Sequence, residues 1–207
     1  MFVDKPLSAF LDQLASNAPT PGGGSVAAVT GALGAGLVSM VCNLTIGKEK
    51  YKDVEVDVQG ILARSEALRQ KLTDLMQSDV EAYGKLAAAY KMPRASDEEK
   101  KARTSAVQEA CITAANVPLA IAESCVEILD LCPPAAEKGN VGAVSDVGVA
   151  ALLAEAGLRS AILNVQINLN VIKDQSYVEK TRARIQELLA GKADLKERIM
   201  QDVESKL

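Results

Sequence analysis

Apolar residues recur at spacings of three and four along nearly the whole chain, and no stretch alternates apolar and polar residues as a strand would. This pattern predicts a first helix over 6–16. The run Asn17-Ala-Pro-Thr-Pro-Gly-Gly-Gly-Ser25 is a turn, rich in residues that break regular structure. A central helix follows to about 46, then a loop over 47–50 and a long helix over 51–91, which Pro93 ends. Ser96 caps the next helix, with Glu99 completing a capping box. That helix runs to about 116, where Pro118 kinks it or splits it from a segment ending near 131. Pro133, Pro134 and Gly139 break the chain again, and further helices are expected over 146–172, 176–190 and 193–206. With no repeat, low-complexity tract or linker, residues 1–207 form one all-α domain, a helical bundle.

The central helix is unusual in composition. Ala27, Gly31, Ala35 and Ser39 lie four apart and form a stripe of small side chains. Ala28, Ala32 and Gly36 form a second stripe, and Val29, Leu33, Leu37, Val41 and Leu44 supply larger packing on another face. Small stripes let neighbouring helices approach closely. A helix apolar on all sides must be surrounded, so part of its cover is expected from a second subunit. The simplest such assembly is a two-fold homodimer. The uncharged run 26–46 is long enough to cross a bilayer, but it is built of Ala and Gly with Thr30, Ser39, Asn43 and Thr45, and no second span accompanies it. It reads as a buried central helix of a protein without a membrane partner.

Composition narrows the chemistry. Apolar residues make up 48% and charged residues 24% of 207, the profile of a folded domain. A net charge of −4 leaves no basic footprint for nucleic acid. Residues 1–16 carry Asp4, Lys5 and Asp12 in an amphipathic pattern, unlike a secretory signal. Cys42, Cys111, Cys125 and Cys132 form no C-x-x-C pair and read as reduced core thiols of a cytoplasmic protein. Histidine is absent, which argues against a zinc site and removes Ser–His and Cys–His nucleophile schemes. Proton transfer falls to Asp, Glu, Lys, Tyr or Cys.

Four places could carry it. Gly22, Gly23, Gly24 and Ser25 open the central helix, where free N–H groups and the positive helix end suit an anion. The same residues also suit a plain tight turn capped by Ser25. Lys48, Lys50 and Tyr51 follow the far end of that helix; they complement its negative end, or they meet a substrate charge and stack on a ring. Asp79 falls within the apolar stripe Leu72, Leu75, Met76, Val80, Tyr83, Leu86 and Tyr90. A carboxylate there must pair with a cation, stay protonated, or face a ligand cavity. The fourth place is Gly139-Asn140 with Ser145-Asp146. Ser145 or Asp146 can cap the following helix, and Asn164 and Asn168 lie on its small, polar stripe. Buried amides need partners, which either neighbouring helices or a donor-rich heterocycle would provide.

Together these segments resemble the family of the cyclodeaminase domain of formiminotransferase-cyclodeaminase and the stand-alone bacterial methenyltetrahydrofolate cyclohydrolases. The resemblance rests on Ala18-Pro-Thr-Pro-Gly-Gly-Gly-Ser25, Cys42-Asn-Leu-Thr-Ile-Gly-Lys48 with Lys50-Tyr51, Asp79-Val-Glu-Ala-Tyr83, Val117-Pro-Leu119, Gly139-Asn140, Ser145-Asp146 and Asn164-Val-Gln-Ile-Asn168, in that order along the chain. In length, and in the run Leu37-Val-Ser-Met-Val-Cys-Asn-Leu-Thr-Ile-Gly47, it is nearer the stand-alone cyclohydrolases.

The resemblance implies an all-helical dimer that binds a tetrahydrofolate derivative between helices, as substrate and without cofactor or metal. The activity expected is hydrolysis of 5,10-methenyltetrahydrofolate to 10-formyltetrahydrofolate. The alternatives are formimidoyltetrahydrofolate cyclodeaminase, which expels ammonia, and a non-catalytic folate-binding scaffold. Asp79 is the first candidate for the base, with Asp146 as alternative base or as partner of the pterin edge. Lys48 would move a proton or hold a tail carboxylate. Asn140, Asn164 and Asn168 would orient the ring, and the turn from Gly22 to Ser25 would take the tail carboxylates.

Overall fold

The computed structural model describes residues 2–207, Val3 by its backbone only; Met1, the first residue of the expected domain, lies outside the described residues. The α-helices are α1 (Leu7–Leu14), α2 (Gly23–Asn43), α3 (Glu55–Lys91), α4 (Asp97–Lys138), α5 (Val144–Leu169), α6 (Gln175–Leu189) and α7 (Lys192–Glu204). Short 3-10 turns cover Phe2–Asp4, Glu49–Val54 and Val141–Ala143. Among the described residues there is no strand. The chain is the all-α bundle that the apolar spacing predicts.

The core lies where α2 meets α3, α4 and α5, with α7 closing over α4 and α5. The stripe Ala27, Gly31, Ala35 and Ser39 is buried, and glycine is what permits the closest approach. A Cβ on Gly31 would stand 2.9 Å from Cys125 Sγ, and a Cβ on Gly157 would stand 2.9 Å from the same sulfur. Helices α2, α4 and α5 thus meet on one thiol, which burial pushes up to about 12. Around this point Leu72, Ile121, Ile128, Leu129 and Leu158 are almost wholly enclosed, each contributing about 1.5–3 kcal/mol by leaving water.

Helix α4 runs unbroken through Pro118, Pro133 and Pro134, where the sequence predicts breaks. An internal proline costs about 3 kcal/mol, chiefly by removing a hydrogen bond one turn back. Burial of Ile121, Ile128, Leu129, Leu131, Cys132 and Ala135 on either side of these prolines outweighs that cost. The chain instead turns at Gly139, where a Cβ would lie 2.4 Å from Ala135 O and 2.7 Å from Val41 Cγ1. Ser96 and Glu99 form the expected capping box. Ser145 and Asp146 do not cap α5, which starts at Val144 with Ala143 as its N-cap; Asn140 caps the preceding 3-10 turn instead, accepting from Gly142 N at 3.0 Å.

Three helices, not one, are long and apolar enough to cross a membrane by length and composition: Gly23–Asn43, a window within Asp97–Lys138, and Val141–Leu169. The second of these lies in a helix that contains three prolines, which is why its length is not evident from the sequence. Between 50% and 56% of each window is buried among the other helices.

The central helix is less enclosed than its composition predicts. Leu33 and Met40 lie open along one face of α2, with Leu44 at its C-cap, Leu33 at 58% exposure. On α5, Val149, Leu152, Leu163 and Ile167 form a second open stripe, Leu163 at 67% and Ile167 at 68%. The two helices are antiparallel neighbours: Gly23 lies against Asn164, Gly31 beside Gly157, and Gly34 against Ala150.

Candidate functional site

A cleft of about 350 Å3 opens between the turn before α2 and helices α3, α4 and α5. That volume is in the range of ordinary ligand pockets. Asp79 lies in it, with Asn164 and Asn168 from α5; Tyr83, Pro118 and Ile167 form the walls. A wider groove of about 510 Å3 between α5 and α6 is lined by Gln166, Asn170, Arg182 and Gln186. All four are exposed, and the groove offers no recessed carboxylate, so the smaller cleft is the candidate site.

The first turn of α2 is built around Asp79. Gly22, not Ser25, is the N-cap, and Ser25 is wholly buried as the third helical residue. Its hydroxyl donates to Asp79 Oδ2 at 2.7 Å, and its backbone N–H also bonds the carboxylate. The carboxylate therefore occupies the anion position at the positive end of α2. Burial pushes the Asp79 carboxyl above its ordinary range, against the two Ser25 hydrogen bonds that pull it down. No cation pairs with it among the described residues, which sets aside the structural ion pair as its explanation. A carboxyl biased toward holding a proton, in a cleft, is suited to proton transfer.

Two glycines make the room. A Cβ on Gly24 would fall 2.1 Å from Asp79 Oδ1, and one on Gly23 would fall 3.1 Å from Asn164 Nδ2. Replacing Gly24 with Ala must move the carboxylate. The expected result is an overpacking cost of about 1–3 kcal/mol. Turnover is expected to fall about 100-fold from the displaced group. Steady-state rates beside thermal melts check this; unchanged turnover would show that Asp79 need not sit where it does.

The amides are held from behind. Asn164 Nδ2 donates to Ser160 O at 2.8 Å. Asn168 Nδ2 donates to Asn164 O at 2.8 Å and across to Ala114 O on α4 at 3.0 Å.

The remaining candidates gather elsewhere. Tyr51 Oη accepts from Val141 N at 3.1 Å, and that bond, with Lys50 beside it, holds the phenol below its ordinary value. Lys50 Nζ lies 5.2 Å from the centre of the Tyr51 ring. Asn140 donates from its backbone to Thr45 Oγ1 at 2.8 Å and from Nδ2 to Leu44 O at 3.0 Å, and it lies 3.5 Å from Tyr51 Oη. Lys48 is exposed at the start of this turn, and Ser145 and Asp146 lie in the first turn of α5 nearby in the chain. All of these stand at the C-terminal end of α2. Its 21 residues separate them from Asp79, Asn164 and Asn168 by about 30 Å at 1.5 Å per residue. One chain therefore brings together Gly22, Gly23, Gly24, Ser25, Asp79, Asn164 and Asn168, and separately gathers Lys48, Lys50, Tyr51, Asn140, Ser145 and Asp146. It does not join the two groups.

Tyr83, Pro118, Ala114 and Ile167 also line the cleft and are not among the sequence-predicted site residues. Tyr83 carries a sequence signal, one turn beyond Asp79 on α3; Pro118 carries only a helix-breaking one. Among the described residues, no three acidic or cysteine side chains converge as metal ligands.

The chain matches the family described as formiminotransferase-cyclodeaminase over residues 6–187. It is 50% identical to the methenyltetrahydrofolate cyclohydrolase of Methylorubrum extorquens over 204 residues, 99% of this chain and 98% of that one. It is 37% identical to the formimidoyltransferase-cyclodeaminase of Rattus norvegicus over 90% of its length, though it spans only 35% of that larger protein. Among solved structures it is similar to a formiminotetrahydrofolate cyclodeaminase from Thermotoga maritima, with a TM-score of 0.88 and 33% identity over 99% of this chain and 98% of that one.

Proposed function

The chain belongs to the formiminotransferase-cyclodeaminase family, and on that premise we propose that it hydrolyses 5,10-methenyltetrahydrofolate to 10-formyltetrahydrofolate. The observation that carries the chemistry is the recessed Asp79 carboxylate, held by Ser25 in a cleft that also contains two amides. The substrate's bridging carbon is part of a cationic amidine and is already electrophilic. Catalysis then requires orientation, a base for water and a proton for the departing nitrogen. The near full-length likeness to a cyclohydrolase, at 50% identity, favours water addition over ammonia release.

In the mechanism, a water oxygen bonds to the bridging carbon while the carbon–nitrogen π pair moves onto nitrogen, and Asp79 takes a proton from the water. The carbon–N5 bond then breaks. Asp79 returns its proton to N5, and the hydroxyl proton leaves to solvent as the formyl carbonyl forms. One proton is released overall, which balances the loss of the amidine charge. The negative Asp79 also attracts the cationic ring before reaction. Asn164 and Asn168 orient the pterin edge, and Tyr83 and Ile167 supply apolar walls. No metal is needed for these steps.

Because Asp79 already fills the first turn of α2, the glycine turn is a poor seat for a tail carboxylate, and Lys48 or Lys50 is the better one. They reach the cleft if the protein is a homodimer. A two-fold axis across the open stripes of α2 and α5 sets the C-terminal end of the partner's α2 beside this cleft. Asn140, Tyr51, Ser145 and Asp146 would arrive with it. We place the enzyme in the cytoplasm, where its four buried thiols remain reduced, with neither membrane nor nucleic acid as partner.

The test is loss of the methenyl chromophore, corrected for spontaneous hydrolysis, beside ammonia release from the formimino substrate. Fast methenyl hydrolysis with little ammonia is the expected result. Preference for the formimino substrate would make the chain a cyclodeaminase, and failure to bind or convert either would leave a folate-independent scaffold.

A further inference from the structure

Pro118 lies inside α4 and on the wall of the cleft. Its ring nitrogen carries no hydrogen, so the carbonyl of Ala114, one turn back, is left without its helical donor. Asn168 takes that place from α5, donating from Nδ2 to Ala114 O at 3.0 Å. The second hydrogen on the same nitrogen goes to Asn164 O at 2.8 Å. An amide nitrogen carries two hydrogens, and both are engaged. What Asn168 can offer a ligand is therefore its Oδ1, an acceptor.

We propose that Pro118 is a positioning residue for the reaction: by releasing the Ala114 carbonyl it locks the Asn168 amide in one orientation, so that the cleft presents a hydrogen-bond acceptor and selects a ring edge that donates. This rests on the reading that Asn168 meets the pterin. With any other residue at 118, a backbone N–H competes for Ala114 O. Asn168 then keeps firmly only its bond to Asn164 O, and the amide is held less tightly in the orientation that aims its acceptor at the ligand. The lock also joins α4 to α5 across the cleft.

The experiment is a double-mutant cycle on methenyltetrahydrofolate hydrolysis with Pro118→Ala, Asn168→Ala and the pair, repeated with Pro118→Val. Valine restores the N–H while filling most of the ring's volume, which separates the lock from lost wall contact and guards against a fold defect peculiar to alanine. Each single change is expected to raise KM about tenfold with a much smaller change in kcat. The melting temperature of both Pro118 variants should be unchanged or higher. The pair should be no worse than Asn168→Ala alone, since Pro118 acts through Asn168. The side-chain amide resonance of Asn168 should lose its hydrogen-bonded shift in the Pro118 variants. Multiplying effects, or a normal KM in both Pro118 variants while Asn168→Ala is impaired, would overturn the inference and leave the role of Asn168 standing. A normal KM in Asn168→Ala would overturn the site reading and the inference together.

Discussion

Replacing Asp79 with Asn is expected to lower turnover about a thousandfold and at the same time to raise the melting temperature at pH 7. Both effects come from one carboxylate. The amide is nearly the same shape, and its oxygen can still accept from the Ser25 hydroxyl that now bonds Asp79 at 2.7 Å. It cannot take a proton from water or return one to N5, so the rate loss is that of a missing acid–base group. The stability gain follows from desolvation, the largest influence on this carboxyl, which raises its value in the folded chain. The folded state then holds the proton more tightly than the unfolded state, and stability falls as pH rises from the unfolded value toward the folded one. The penalty is complete above the folded value and absent below the unfolded value of about 3.9. The gain from Asn should therefore shrink as pH falls and vanish near pH 3.5 to 4. The wild-type rate should rise with pH through the raised Asp79 value, because the base must be ionised. Paired melts across pH, with turnover at each, measure all of this. Near-normal turnover would dismiss Asp79 as the base, and a lower melting temperature at pH 7 would mean that its charge is favourable where it lies.

Mixing two inactive variants should restore activity. Asp79→Asn damages one end of the proposed composite site, and Lys48→Ala damages the other, about 30 Å away along α2 of the same chain. If each cleft is completed by the partner, every homodimer of either variant has two impaired sites. A mixed dimer has one site with both defects and one with neither. Random exchange of equal amounts then recovers about one quarter of wild-type activity. The open stripes on α2 and α5 give the contact a physical basis: Leu163 and Ile167 alone are more than two-thirds exposed. Apolar faces of this kind on neighbouring helices favour association. Sedimentation should find a dimer for each variant. No recovery from mixed, folded dimers would remove Lys48 from the neighbourhood of Asp79, and a monomer would remove the composite site altogether.

How far the sequence could be read depended on the reach of each interaction. Ser96 and Glu99 announce a helix start because their bonds close within four residues. Asp79 stands out because helical periodicity places a charge in an apolar row. Pro133 and Pro134 mislead, since the buried residues that carry α4 past them are packed by helices far along the chain. Ser25 misleads for the same reason: the cap its type predicts is displaced by a carboxylate 54 residues away. The lock between Ala114 and Asn168 also spans 54 residues and has no local signature. The resemblance to known sequences named residues of both groups without their separation, because order along a chain does not say which end of a 21-residue helix each motif occupies.

The thiol of Cys125, touched from two sides by glycine, has an evolutionary consequence. Positions 31, 125 and 157 share one small volume, and none of them can gain an atom unless another gives one up. Substitutions there should travel as compensated sets. The same helices carry Gly23 and Asn164 about two turns away, so a shift of their spacing at this knot would be felt at the mouth of the cleft.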